Sequence, residues 1–428
     1  MWRSLSPGDR SCIPIDCESR KPPVPEPAAL RLGTRGRTPV FGRVWLRRLM
    51  PVLLMSLALQ AQAQPLPPGY WQRPLAPQGE APVRWSRIES SLRPQDCGLC
   101  HPDKLADWRT SPHAKAFSPG LVGQLLTYNA EDTRSCMACH APLAEQTQAF
   151  ETARRQGNAA LPSAQGLAAA GNSCGGCHLR QYRHYGPPDR RSNAVGPTPS
   201  TDPHGGAIRT KAFESSDFCG ACHQFPQNLA INGKPLENTL AEWRASPAAR
   251  SGKTCQSCHM PERRHLWRGI HDAAMVRSGV QARFSAQPGQ AVFRLINSGV
   301  GHAFPTYVTP KAVLTGVALD ISGHVIAGSE KHIVIQRQVA FTGDVWHEIS
   351  DSRLLPDQSA TLSVPWPPSG RVRFWLEIDP DDFYHRETYP SLRRDLPENS
   401  AAARLIAAAD ARATASPYRL FETELRRP

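Results

Sequence analysis

Cys97-Gly98-Leu99-Cys100-His101 opens a series of five pentapeptides with one pattern, Cys-x-x-Cys-His. The others are Cys136-Met137-Ala138-Cys139-His140, Cys174-Gly175-Gly176-Cys177-His178, Cys219-Gly220-Ala221-Cys222-His223 and Cys255-Gln256-Ser257-Cys258-His259. Ten of the 12 cysteines of the chain lie in these copies, and successive first cysteines stand 39, 38, 45 and 36 residues apart. Two thiols separated by two residues reach the two vinyl groups of one haem. The imidazole that follows then lies under the iron as its proximal ligand. Structural zinc needs paired motifs without an obligatory fifth-place His. A thioredoxin-type pair is a single motif in a βαβ setting, and a disulfide framework does not place His after every second cysteine. Five motifs therefore predict five covalently bound haems c, with His101, His140, His178, His223 and His259 as proximal iron ligands. So little chain per haem cannot bury each cofactor separately, so the haems share walls and lie within electron-exchange distance.

Outward from the motifs, the 428 residues suffice for two or three domains. The 41 prolines exceed average usage and indicate a loop-rich protein rather than a long-helix bundle. Upstream, Val44-Trp45-Leu46-Arg47-Arg48, an apolar run from Leu49 to Leu59 and Ala61-Gln62-Ala63 follow the order of a secretory signal, with cleavage expected after Ala63. The preceding residues put the true start nearer Val44 or Met50; an uncleaved signal anchor is the alternative. Export places the protein in the periplasm or at the outer surface. The apolar run is too short to span a bilayer.

The formal net charge is +13, and removal of residues 1–63 takes away ten of the 50 basic and four of the 37 acidic residues. The remaining excess is dispersed and forms no basic run, which argues against nucleic acid. Haem propionates would offset it. The expected partners are redox proteins, a donor and an acceptor. A membrane-associated redox complex and self-assembly are also compatible with this composition.

An iron that only carries electrons needs a sixth ligand, whereas one that does chemistry keeps that position open. His113, His184, His204, His265 and His271 lie outside the motifs but within the haem region, and His302 follows in Gly301-His302-Ala303-Phe304-Pro305-Thr306. These six are the candidate distal ligands. A short internal repeat bears on them. Leu105-Ala106-Asp107-Trp108-Arg109-Thr110-Ser111-Pro112-His113-Ala114 is echoed by Leu240-Ala241-Glu242-Trp243-Arg244-Ala245-Ser246-Pro247-Ala248-Ala249. Ala248 replaces the His, so another residue serves there or one iron is open. His265 and His271 are six apart, which puts them on different helical faces and so at different haems.

From about residue 281 β-branched and aromatic runs alternate with Gly, Pro and Ser turns: Val292–Ile296, Ala312–Ile321, His332–Phe341, Ala360–Val364 and Val372–Ile378. This spacing predicts an antiparallel sandwich, and Ala-rich 400–414 predicts a helix. The expected organisation is an extension and signal over 1–63, a linker over 64–90, a pentahaem domain over 91–280, a β-sandwich over 281–398 and a helix with tail over 399–428.

Trp108-x-x-Ser111-x-His113-Ala114, Cys136-Met137-Ala138-Cys139-His140-Ala141-Pro142-Leu143, and Cys255 to Pro261 followed by His265-x-Trp267-x-Gly269 together resemble the multihaem cytochromes c of the cytochrome c-554 type. The resemblance covers roughly residues 90–275. It implies a multihaem cytochrome c fold, loop-rich with short α-helices wrapped around haems, here followed by an all-β, immunoglobulin-like sandwich domain. It also implies a distal role for His113 and, for the protein, periplasmic electron transport. Relatives of that family include hydroxylamine-oxidising and nitrite-reducing enzymes. The alternative function is thus oxidation or reduction of a small nitrogen or sulfur compound at one open iron. No motif here ends in the Lys that marks the active haem of pentahaem nitrite reductases. A filament subunit that polymerises through the β module is a third class.

Overall fold

The computed structural model describes residues 66–156, 166–342 and 345–428. The expected extension and signal over 1–63 lie outside them. The described residues between 66 and 279 form short helices, loops and six short strands. Each motif sits on or at the end of a helical turn: Pro94–Cys97, Ala130–His140, Cys174–His178, Ser216–Gly220 and Cys255–His259. A single turn brings residues three apart onto one face, so the two thiols of a motif point the same way. Local chemistry starts these turns. Asn129 accepts from the backbone N–H groups of Glu131 and Asp132, Thr254 from that of Ser257, and Ser215 from that of Asp217.

Between the third and fourth motifs the chain forms a small sheet. Strands β1 (Leu179–Arg180), β2 (Arg183–Gly186), β3 (Gly196–Pro197) and β4 (Ala207–Arg209) are ordered β1-β2-β4-β3. A hairpin of β5 (Ala230–Ile231) and β6 (Lys234–Pro235) follows the fourth motif.

The carboxy-terminal third holds β7 (Val280–Gln287), β8 (Gln290–Asn297), β9 (Lys311–Leu319), β10 (Lys331–Ile335), β11 (Arg337–Thr342), β12 (Val345–Asp351), β13 (Ser359–Pro365), β14 (Arg371–Asp379) and β15 (Tyr418–Arg426). Two antiparallel sheets, β13-β8-β7 and β10-β9-β14-β15, share one apolar core. On β14 the inward residues Val372, Phe374, Leu376 and Ile378 are fully buried and alternate with Arg371, Arg373, Trp375 and Glu377. Each such side chain contributes roughly 1.5–3 kcal/mol by leaving water.

The run expected as one strand over His332–Phe341 divides at Gln336. Its first half pairs with β9 and its second with β12, in a separate two-stranded ribbon. Residues 418–426, expected as a tail, form an edge strand beside β14, so the β unit does not end at 398. The helix expected over 400–414 spans Ala401–Thr414. It returns to the haem region, where Gly120 and Gly123 let the helix Pro119–Leu125 approach Ala409 and Ile406. Among the described residues, no helix is long and apolar enough to cross a membrane.

Candidate haem sites

Three motif imidazoles face a second imidazole at nearly one separation. Ring centres are 6.2 Å apart for His178 and His265, 6.3 Å for His223 and His113, and 6.4 Å for His259 and His302. Two imidazole–metal bonds of about 2 Å, with about 1 Å from each nitrogen to its ring centre, span roughly 6 Å. Each gap thus fits one metal ion held axially. In His178, His259 and His302 the Nδ1 nitrogen is engaged by backbone. Nδ1 of His178 lies 2.8 Å from Tyr185 O, that of His259 2.7 Å from Arg268 O, and that of His302 2.9 Å from Ala303 O. An Nδ1–H that donates to a carbonyl leaves the Nε2 lone pair for the metal and fixes the ring's orientation. Burial, reinforced by neighbouring imidazoles, lowers His113 to about 3 and His302 to about 4. Both are therefore neutral donors at physiological pH.

Thiols of different motifs also meet. Cys97 lies close to Cys174, Cys139 to Cys222, and Cys219 to Cys255. Motif one therefore backs onto three, two onto four, and four onto five. Cys177 of motif three acts electrostatically on Cys219 and Cys222. The five motifs form one connected set with the fourth at its junction.

The second copy of the internal repeat resolves locally. Ala248 packs at Gly301, where an added Cβ would stand 3.1 Å from the Ala248 Cβ. The residue after Gly301 is His302, so the imidazole that Ala248 lacks arrives from the loop between β8 and β9. Trp267 lies against two of the facing imidazoles, with ring centres 4.5 Å from His113 and 5.0 Å from His265.

His271 is placed elsewhere than expected. Its side chain is 57% exposed, its Nε2 lies 3.0 Å from Asp381 Oδ2, and it faces no motif imidazole. The turn that carries it directs the ring to the β unit's acidic loop. His184 and His204 lie side by side, with ring centres 4.1 Å apart, and among the described residues neither makes ring contact with a motif imidazole. His140 Nδ1 lies 2.9 Å from Ala116 O, and among the described residues no second imidazole makes ring contact with it.

Supporting groups were not legible in the sequence. Asp107 accepts from both Arg264 and the backbone N–H of His265 (3.0 Å) and thereby holds the His265 turn. Glu237, buried beside His223 with its Oε1 3.9 Å from Nδ1, accepts from Thr239 Oγ1 at 2.6 Å. Burial pushes the Glu237 carboxyl up to about 7. Only the Asp-Trp pair of the repeat hinted at any of these.

Residues 96–165 match the family model described as cytochrome c554 and c-prime. The crystal structure of a penta-haem cytochrome c552 from Thermochromatium tepidum has a similar fold, with a TM-score of 0.54, 20% identity, and 79% of this chain and 99% of that one covered. The matched segment, which holds the first two motifs, is similar to multihaem cytochromes c of the c554 type. No curated protein matches. The donor chemistry of the motifs fits haem c. Paired thiols are available for thioether bonds, and neutral buried imidazoles stand at metal-bridging separations. His184 Nδ1 and His204 Nδ1 are buried without a hydrogen-bond partner, as expected where a prosthetic group belongs.

Proposed function

We propose that this chain is an exported electron relay, working in the periplasm or at the outer surface, with five haems c attached through Cys97/Cys100, Cys136/Cys139, Cys174/Cys177, Cys219/Cys222 and Cys255/Cys258. The observation that carries the reading is the combination of three imidazole pairs at 6.2–6.4 Å with thiol contacts that link the motifs. Bis-imidazole ligation closes an iron to substrate and suits it to electron exchange. Haem c supplies reversible one-electron iron chemistry. The chain's own residues orient the axial imidazoles through backbone carbonyls and bring the motifs together so that electrons pass between neighbours.

Redox proteins are the proposed partners, with motif four as the branch point of the path. The two-sheet β unit is read as an immunoglobulin-like cover and docking module, also able to support self-assembly. Intact mass and a pyridine haemochrome assay on exported protein test the haem count, with five per chain expected. A reductive titration in which the haems accept electrons from one another within milliseconds tests the relay. Slow, independent reduction of each haem would reject it.

One observation favours the second reading. Among the described residues no imidazole makes ring contact with His140, so its iron would be a candidate for an open position where a small nitrogen or sulfur compound could react. A high-spin ferric signal for one haem that shifts with cyanide or nitrite would support chemistry there. Uniformly low-spin haem without such binding would leave the relay alone.

A further inference from the structure

The segment that follows motif five turns sharply. Three of its non-glycine residues hold left-handed backbone: Glu262 at φ 54°, Arg263 at φ 59° and Trp267 at φ 42°. For an indole side chain that conformation is an outlier, kept only where the surroundings fix it. They do so from two sides. The N–H of Trp267 donates to His259 O at 3.0 Å, and the carbonyl oxygen of the next residue, Arg268, lies 2.7 Å from His259 Nδ1. Upstream, Asp107 accepts from Arg264 and from the backbone N–H of His265. Asp107 belongs to the helix Pro102–Thr110, which leads through Ser111 and Pro112 to His113. The Trp267 turn and the helix before His113 are therefore tied together.

The result is a ring set between two imidazoles of different pairs. The Trp267 ring centre lies 4.5 Å from that of His113, with the planes tilted by 42°, and 5.0 Å from that of His265, edge to face at 87°. Both separations fall in the range of favourable aromatic contact. His265 has a second support, since its Nδ1 lies 3.2 Å from Arg263 O. Backbone carbonyls play the same part for His178, His259 and His302. His113 is held otherwise. Its described hydrogen bonds come to its backbone carbonyl, from the N–H groups of Ala116 and Asn172. Among the described residues, its ring contacts are those with Trp267 and the facing His223. A ligating imidazole takes its orientation from what holds its far side.

We propose that Trp267 is the positioning residue for the His113 imidazole, supplying by ring contact what a backbone carbonyl supplies to His178, His259, His265 and His302. The inference rests on the pentahaem reading, in which His113 is the distal ligand of the motif-four iron. The indole sets the plane of His113 against that of His223, 27° away, and with it the ligand field at that iron. Because the same ring touches His265, the irons of motifs three and four share one supporting side chain. The effect of losing it is graded. It is large at His113, whose ring has no hydrogen bond to hold it, and smaller at His265, which keeps Arg263 O.

The test uses the full exported holoprotein. Trp267→Gly removes the indole and suits the left-handed turn, so the hold on His259 stays. A pyridine haemochrome assay counts the haems first, since a wild-type count other than five is the failure of the pentahaem reading rather than of this one. Ferric EPR then compares wild type, Trp267→Gly, His113→Ala and His265→Ala, the last two marking the low-spin signals of motifs four and three. Trp267→Gly should shift the signal that His113→Ala abolishes and move the midpoint potential of that haem. It should disturb the His265 signal less and leave the other three as in wild type. Trp267→Phe, which keeps a ring, should bring the motif-four signal back toward wild type. An unchanged motif-four signal in Trp267→Gly would overturn the proposal. Equal shifts in all five signals would overturn it too, since a merely structural role gives that result. If the glycine variant fails to accumulate, Trp267→Leu gives the same readout with the space better filled.

Discussion

His302 faces His259 across 6.4 Å, centre to centre, with ring planes 11° apart. His259 closes the last motif, whereas His302 belongs to the loop joining β8 to β9. On the proposed reading the β unit would supply a second imidazole to the last motif, and its docking would complete that ligand pair.

Substituting His302→Ala should add one high-spin ferric haem per chain above the wild-type level, read by EPR, with recovery on addition of imidazole. An unchanged spectrum would mean that another group serves the iron above His259.

The two regions are also joined by a buried cation. Arg337 is 1% exposed, and its guanidinium donates to Pro235 O (2.6 Å), Ile231 O (3.0 Å), Lys234 O (2.8 Å) and Glu348 Oε2 (2.8 Å). Arg337→Met takes a buried donor from three carbonyls and from Glu348, which keeps Asn232 and Lys234. It should destabilise the fold by about 3–5 kcal/mol in urea unfolding while the haem spectrum stays intact. A loss below about 1 kcal/mol would show that water replaces the guanidinium at little cost.

Asp351 supplies a pH dependence. Burial alone would raise its carboxyl, but hydrogen bonds from Arg353 and Lys234, with their charges, hold it well below the usual carboxylate range. A carboxylate depressed in the folded state stabilises above its unfolded value, about 3.9, and that stabilisation is lost as pH falls toward the folded value. Asp351→Asn should lower stability at neutral pH and flatten the acid limb of the stability curve below about pH 4. Curves that stay parallel to wild type down to acid would exclude the linkage.

Gly171 controls the turn that bears His113. Its φ is +57°, and an added Cβ would stand 2.5 Å from His113 O. Gly171→Ala should cost about 1–3 kcal/mol and weaken the ligand opposite His223, seen as a raised high-spin fraction. Gly186→Ala, with nothing within 4 Å of the added carbon, serves as the control and should leave both measures unchanged. Equal effects of the two substitutions would remove the steric explanation.

Much of the haem region was legible because attachment chemistry is local. Two thiols and an imidazole within five residues suffice to mark each site, and the strands of β8, β9, β13 and β14 follow from alternation along single segments. Other features were less visible. β7, β12 and β15 carry polar outward faces and weak alternation, and β15 reaches its sheet only after the intervening helix Ala401–Thr414. Gln336 divides one apolar run into strands of two sheets, and no residue there signals a break.

The sequence alone determined that this chain carries five haem-attachment motifs and their proximal ligands, because those groups are covalent neighbours. Tertiary structure decided which imidazoles face one another. It drew His302 from the β unit to His259, turned His271 toward Asp381, stacked His184 on His204 and, among the described residues, left His140 without a facing ring. A distal ligand is chosen by where an imidazole lies in space, and its distance along the chain carries little information about that.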